Sequence, residues 1–289
     1  MSDAIQLKKV SKHYHNGRGI SGVDLAINKG EIFGFLGPNG AGKTTTIRCI
    51  MDFIRPDSGS ITIFGTNLTQ GPEATNKMIG YLPSDSQLYP NWTGHRHIEL
   101  YKRLRGASSV LPLVKRLDLS LDLPVKHLSS GNKQKLGLVL AMTGSPRLLI
   151  MDEPTKGLDP LLQQTIYEVL NEYRHDGGTV FFSSHNLPEV EKVCDRVGVL
   201  KDGRVIANES IQSIRNLSIH LVTAFGSEVF DPNKFTSKNV EVLHHQGNHI
   251  ILKVRGDLND TLKQLTAHPL KDLEIAHANL EDVFMEYYK

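Results

Sequence analysis

Gly37-Pro38-Asn39-Gly40-Ala41-Gly42-Lys43-Thr44 fits the pattern G-x-x-x-x-G-K-[ST] at every fixed position. Ile32-Phe33-Gly34-Phe35-Leu36 runs before it, a short apolar stretch that reads as a buried strand. Lys43 to Ile54 runs after it and predicts a helix that stops before Arg55-Pro56. Strand, glycine turn and helix in that order make a phosphate cradle. Glycines let the backbone curl until successive N–H groups converge on one anion. The helix N-terminus adds its partial positive charge at the same spot. Lys43 is then placed to reach the β- and γ-phosphates, and the Thr44 hydroxyl to ligate Mg²⁺. The stretch predicts a nucleoside triphosphate bound along Gly37 to Thr45.

The bulk composition frames that site. The chain has 289 residues, enough for one large domain or two modest ones. Its 39% hydrophobic and 22% charged residues are ordinary for a soluble globular protein. A formal net charge of +2 implies no general affinity for polyanions, so no nucleic-acid partner is expected. No apolar run approaches the roughly 18 residues a membrane span requires. Met1-Ser2-Asp3-Ala4-Ile5-Gln6 lacks the basic start and apolar stretch of a signal peptide, which predicts a cytoplasmic chain. Cys49 and Cys194 stand in no metal or redox spacing and read as reduced core residues. His95-Arg96-His97 and His244-His245 lack neighbouring metal ligands, and a solvated surface is expected for them.

Along the chain, Ile5 to Val10 and Val23 to Ile27 read as strands, with a loop containing Tyr14 between them. An aromatic ring there can stack on a base, a contact of about 1–3 kcal/mol. Ser60 to Gly65 alternates like a strand, and Ile79-Gly80-Tyr81-Leu82-Pro83 is another, stopped by proline. From about Ser84 to Thr143 the pattern turns helical, with one helix opening at Thr93-Gly94 and another at Leu128-Ser129-Ser130-Gly131-Asn132. Leu148 to Met151 is a buried strand ending in Asp152-Glu153-Pro154. Leu161 to Tyr173 is an amphipathic helix, Thr179 to Ser184 a strand followed by His185, and Val197 to Ile206 a hairpin across Lys201-Asp202-Gly203. Beyond about 216, strands are expected at Leu217–Ala224, Val240–Leu243 and Ile250–Val254, and helices at Leu258–Leu265 and Leu280–Tyr287, the last capped by Asn279. This predicts two domains, 1–215 and 216–289. The second reads as a small α+β dimerisation or packing module without a catalytic pattern.

Two carboxylates follow the Leu148–Met151 strand. In a nucleotide site of this kind the acid at the strand's end holds Mg²⁺, which assigns Asp152. Glu153, next along, is in reach of a water attacking the γ-phosphate, and a general base there contributes about 10²–10⁴-fold. At this point residues 5–210 resemble the ATP-binding subunits of ATP-binding-cassette (ABC) transporters. Leu128-Ser129-Ser130-Gly131-Asn132 is similar to the signature L-S-G-G-Q, Gly157-Leu158-Asp159 to the D-loop, His185 to the switch histidine and Tyr14 to the adenine-stacking aromatic. The C-terminal Leu280-Glu281-Asp282-Val283-Phe284 resembles subunits serving separately encoded exporters. Two departures stand out. Ser84 replaces the usual glutamine that senses the metal, which puts Ser84 as a metal contact in doubt. Ser130 and Asn132 replace the second Gly and the Gln of the signature.

The resemblance implies an α/β fold: a P-loop NTPase with a RecA-like core, an N-terminal antiparallel β subdomain, an inserted helical subdomain at about 84–143 and the C-terminal α+β appendage. It implies ATP hydrolysis with Mg²⁺, by Lys43, Glu153 and His185, in a site closed by Ser129, Ser130 and Gly131 of a second copy or of a paralogous subunit. It also implies an integral-membrane permease, reached at the cytoplasmic face of the membrane, with export as the direction. Tyr89-Pro90-Asn91-Trp92 is then either part of the groove receiving that permease or local packing. A soluble ABC-type ATPase acting on ribosomes or nucleic acid is the rival; such proteins carry two cassettes or a long coiled coil, and neither is present. A GTPase would need N-K-x-D, which Asn132-Lys133 does not complete because Lys135 stands at the Asp position.

Overall fold

The computed structural model describes residues 3–277 apart from 16, 70–71, 107–108 and 216–218. The expected helix at Leu280–Tyr287 and its Asn279 cap lie outside the described residues. The chain divides between Glu209 and Ser210 into two compact units, a few residues before the expected boundary at 215.

The first unit starts with a four-stranded antiparallel sheet of β1 (Asp3–His13), β2 (Gly19–Asn28), β4 (Ser58–Ile63) and β5 (Thr66–Asn67), in the order β2-β1-β4-β5. Alternation decides its faces: Ile5, Leu7, Val23, Leu25, Ile27, Ile61 and Ile63 all point into one core. That core continues into a second sheet of six strands, β10-β9-β3-β8-β7-β6. Its members are β3 (Ile32–Leu36), β6 (Ile79–Leu82), β7 (Leu148–Asp152), β8 (Thr179–Ser184), β9 (Arg196–Lys201) and β10 (Arg204–Ser210). Pairs β9/β3, β3/β8, β8/β7 and β7/β6 are parallel. Parallel strands covered on both faces need unbroken apolar runs. Every residue of β3, β7 and β8 is buried, and Phe33 stacks on Phe181 with centroids 6.0 Å apart. The β9–β10 hairpin turns at Asp202 and Gly203, both at positive φ, as a tight two-residue turn demands.

Helix α1 (Lys43–Ile50) follows β3. It ends earlier than the expected Ile54 because the chain enters a left-handed conformation at Asp52, φ 56°. Helix α2 (Pro72–Met78) and the short β5 had no expectation in the sequence. The helical insert holds α3 (Gly94–Arg105), α4 (Leu111–Arg116) and α5 (Ser130–Met142). Then come α6 (Pro160–His175) after β7 and α7 (Leu187–Val193) after β8. His97 corrects the expectation of a solvated histidine: it is 2% exposed on the inner face of α3. Its two ring nitrogens are satisfied locally, by the Tyr89 N–H at 3.0 Å and the Thr93 carbonyl at 2.8 Å. Cys49 and Cys194 are both buried free thiols.

The second unit has α8 (Ile211–Arg215), β11 (Ile219–Gly226), β12 (Val240–Gln246), β13 (His249–Arg255), α9 (Asn259–Thr266) and β14 (Leu270–His277). Its antiparallel sheet runs β12-β13-β11-β14, and Val222, Ala224, Ile250, Leu252 and Leu265 form its own core with Phe230 and Phe235.

Candidate functional site

Parallel pairing does the gathering. Leu36 lies opposite Ser184, Asp152 opposite Ser183, and Leu82 opposite Met151. The segments leaving β3, β8, β7 and β6 therefore emerge at one edge, where ligands of open α/β sheets bind. They carry Gly37–Thr44, His185, Glu153 and Ser84 respectively.

The phosphate loop is shaped by its glycines. Gly40 and Gly42 have φ of 84° and 111°, a region that side chains rarely adopt. Gly37 passes so close to β9 that a Cβ would stand 2.5 Å from the Leu200 carbonyl oxygen. Gly42 caps α1 with no side-chain acceptor, so the first-turn N–H groups face the loop. Lys43 donates from Nζ to the carbonyls of Gly37 at 2.6 Å and Pro38 at 3.2 Å, and stands 3.7 Å from the Glu153 carboxylate. Burial lowers its pKa, against the pull of Glu153 and Asp152. The Thr44 hydroxyl donates to Asp152 Oδ2 at 2.9 Å, and the Ser183 hydroxyl donates to Asp152 Oδ1 at 2.5 Å.

Glu153 stands where strand geometry breaks. Its φ is 49°, unusual for a residue with a side chain and worth on the order of 1–3 kcal/mol of strain. Its N–H donates to the Ser183 carbonyl and hydroxyl, both at 3.1 Å, which holds that conformation. The side chain is 12% exposed and its Oε1 lies 3.1 Å from His185 Nδ1. Lys156 approaches the other oxygen at 3.8 Å.

A cavity of about 370 Å³ opens over the loop. Tyr14, Asn39, Gly40, Gly42, Lys43, Thr44, Thr45 and Glu153 line it, as the sequence suggested for a nucleotide. Gly37, Pro38 and Ala41 belong to the loop without lining the cavity; Gly37 and Ala41 are buried and Pro38 is exposed. Arg18 and Arg48 also line the cavity and were missed; no spacing rule marks an isolated arginine. Ser183 was missed for the same reason, although it touches both Asp152 and Glu153. Ser84 is exposed beyond β6 and does not line the cavity. A larger cavity of about 470 Å³, near Tyr173 and Pro146, contains none of the motif residues. No cluster of three or more His, Cys, Asp or Glu with metal-ligand geometry exists among the described residues.

The signature residues, at the start of α5, do not line the cavity. Ser129 caps that helix by accepting the Asn132 N–H at 3.2 Å, and Ser129 and Ser130 are exposed. Asp159 caps α6 by accepting the Leu162 N–H at 2.9 Å. Tyr89 stacks on Trp92 at 4.4 Å and the Arg96 guanidinium lies 4.0 Å over the Trp92 ring. Tyr89 remains 56% exposed.

This fold and this phosphate loop define a P-loop nucleoside triphosphatase. The ABC transporter family profile matches residues 20–156. The chain is 32% identical to the Nod factor export ATP-binding protein I of Paraburkholderia xenovorans, over 98% of this chain and 96% of that one. It is 35% identical to the linearmycin resistance ATP-binding protein LnrL of Bacillus subtilis, over 70% of this chain and 68% of that one. A dimeric ATP-binding cassette in a post-hydrolysis state bound to ADP and Pi superposes with a TM-score of 0.66 at 26% identity, covering 72% of this chain and 98% of that one. The chain belongs to the ABC transporter family as an ATP-binding subunit, and it is an ATPase.

Proposed function

We propose that the chain works as half of a two-site ATPase that powers a separate membrane permease. One observation carries this reading: Lys43, Asp152, Glu153 and His185, from three separate segments, converge at one sheet edge, whereas Ser129 to Gly131 at the start of α5 do not line the cavity and the two serines are exposed. The cavity holds ATP, with Tyr14 against the base and Asn39 to Thr45 around the phosphates. Thr44 Oγ1 and the Asp152 carboxylate are hard oxygen donors 2.9 Å apart, a set that fits Mg²⁺. An ion held there would offset the charge of the β- and γ-phosphate oxygens. Lys43 holds the same oxygens as a point charge.

Glu153 takes a proton from a water whose oxygen bonds to the γ-phosphorus as the bond to the bridging oxygen breaks, leaving ADP. His185, protonated on Nδ1, donates to Glu153 and fixes its orientation. Ser129, Ser130 and Gly131 of a second copy, or of a paralogous subunit, close the γ-phosphate end with another helix N-terminus. ATP then favours the dimer by touching both halves. Asp159, besides capping α6, takes the D-loop position at that interface.

The name of one relative, the Nod factor export ATP-binding protein I, supports export as the direction, and on this reading the permease holds the chain at the cytoplasmic face of the membrane. No described helix is long and apolar enough to cross a membrane, and in this reading a separate permease supplies the span. The exposed Tyr89 beside Trp92 offers an aromatic platform for that partner. Ser84, exposed and away from the cavity, reaches the metal only through water. The second unit serves as a packing or dimerisation module.

Glu153→Gln tests the reading. It keeps size and hydrogen bonding but accepts no proton, so turnover falls about 10²-fold or more with ATP affinity nearly unchanged. Sedimentation with ATP and Mg²⁺ then shows a dimer that accumulates in the variant and is transient in the parent. Parental turnover removes Glu153 from catalysis.

A further inference from the structure

Glu189 is a buried carboxylate that hydrolysis as described does not use. It is 5% exposed, on the inner face of α7. Two hydroxyls converge on it. Ser184 donates to Oε2 at 2.6 Å, and Thr155 donates to Oε1. Ser184 immediately precedes His185. Thr155 lies two residues after Glu153. One side chain therefore joins the segment leaving β7 to the segment leaving β8.

Each segment has further ties: the Ser184 carbonyl accepts the Gly37 N–H at 3.2 Å and the Thr155 carbonyl accepts the Leu158 N–H at 3.1 Å. Glu153 hangs from Ser183 through its N–H, and the Pro154 carbonyl accepts from Gln134 Nε2 at 2.9 Å. Ser184 Oγ accepts the Asn186 N–H at 2.9 Å, so the turn carrying His185 is organised around that hydroxyl. Glu189 itself is on a firm base. Helix α7 packs so closely on β3 that a Cβ on Gly34 would stand 2.9 Å from Val190 Cγ1 and 2.7 Å from Cys194 Sγ. The Tyr167 hydroxyl on α6 faces Glu189 as well, and a carboxylate suits this point because every one of these hydroxyls can donate to it and none needs to accept from it. An unmade bond at a buried group is costly, so the arrangement is held to one geometry.

We propose that Glu189 is a positioning residue for ATP hydrolysis: through Thr155 and Ser184 it clamps the two loops so that His185 meets Glu153 at the 3.1 Å contact. The inference rests on the roles given above to Glu153 and His185. Glutamine at 189 preserves the clamp. Its Oε1 accepts from Thr155 and its Nε2 donates to Ser184, whose own proton turns to the Asn186 carbonyl 3.3 Å away. Alanine does not preserve it.

The test uses the purified full chain and measures kcat, KM for ATP, ATP affinity and melting temperature. Glu189→Ala is expected to lower kcat about tenfold or more with ATP affinity within about threefold of parent, and Glu189→Gln to stay within about threefold in both. Ser184→Ala with Thr155→Val is expected to reproduce the alanine loss, and adding Glu189→Ala to that pair to cost nothing more. A folded Glu189→Ala with parental kcat overturns the clamp. So does a glutamine variant as slow as alanine, or additive losses in the combined variants. Should Glu189→Ala not fold, the Ser184→Ala/Thr155→Val pair decides, and parental kcat in it overturns the clamp. Glu153→Gln run beside them separates the two claims. Parental turnover in it, with loss in Glu189→Ala, removes the role of Glu153 and keeps the clamp acting on His185.

Discussion

Gly42 and Gly131 both stand where a glycine-bearing turn opens a helix, α1 and α5. Gly42 is demanded by its own chain: its φ is 111°, and a Cβ there would meet Ile20 Cγ2 at 2.6 Å. Gly131 is not. It has helical backbone, and a Cβ would meet only Leu162 and Leu158 side-chain carbons at 3.6 and 3.8 Å, ordinary contact distances. Among the described residues, nothing crowds a side chain at 131. The phosphate loop thus needs its glycine for the fold of its own chain, whereas the signature turn does not. The proposed function accounts for that difference by a site shared between two copies.

The largest effect expected is on the complete half. Lys43→Ala removes the buried point charge over the loop and is expected to abolish ATPase activity and greatly weaken ATP binding. Equilibrium nucleotide binding on a folded variant measures it, and near-normal affinity would break the comparison on its first side.

The second side breaks or holds on complementation. Gly131→Asp places a carboxylate toward the γ-phosphate of the other copy and is expected to reduce turnover about 10²-fold or more, while leaving ATP binding to the monomer intact. In a homodimer, a Lys43→Ala chain paired with a Gly131→Asp chain leaves one composite site with both defects and one with neither. Mixing the two inactive variants is therefore expected to restore activity, read as ATP turnover above either alone. No recovery at any ratio would place Gly131 in its own chain's site.

Stability separates the two glycines more gently. Gly42→Ala is expected to lower unfolding free energy by about 1–3 kcal/mol through strain and the Ile20 contact. Gly131→Ala is expected to leave it unchanged or raise it by up to about 1 kcal/mol, since alanine is the better helix residue. Denaturant melts of the two proteins in ADP-free buffer give the comparison directly.

The same division explains what could be read from sequence. Gly37 to Thr44 and Asp152-Glu153 are contiguous and their spacing is set by backbone chemistry, so their elements were legible. The opening of α5 within Leu128 to Asn132 was legible too, because a helix start is marked locally. Ser183, Glu189, Gln134 and Arg18 reach the site or its supports only through strand pairing and helix packing, and no local pattern marks them. His97 read as solvated because its partners, Tyr89 and Thr93, bind it through backbone groups. The strand β14 went unread because its pairing with β11, His220 opposite His277 onward, is a long-range choice.

The smallest effect lies at the base side of the cavity, where the loop before Tyr14 is again held by its own chain. Asp57 accepts from Lys12 Nζ and from the His13 N–H, each at 2.7 Å, and so ties the residue before Tyr14 to the segment after α1. The Lys12 ammonium first, then the His13 N–H, hold the Asp57 carboxyl below the usual aspartate range. A depressed folded pKa means that the contact stabilises above the ordinary aspartate range and is lost as pH falls through the depressed value. The pair is solvent-exposed and therefore screened by salt, which keeps its effect small. Asp57→Ala is expected to raise KM for ATP by about threefold or less with kcat unchanged, because only the ring-bearing loop loosens. Asp57→Asn, which still accepts from His13, is expected to fall between. Acid unfolding of Asp57→Ala is expected to lose part of the parent's steepness below the aspartate range. A change in kcat larger than that in KM would show that Asp57 reaches the phosphate end, and would move this edge out of the part of the site that the chain completes alone.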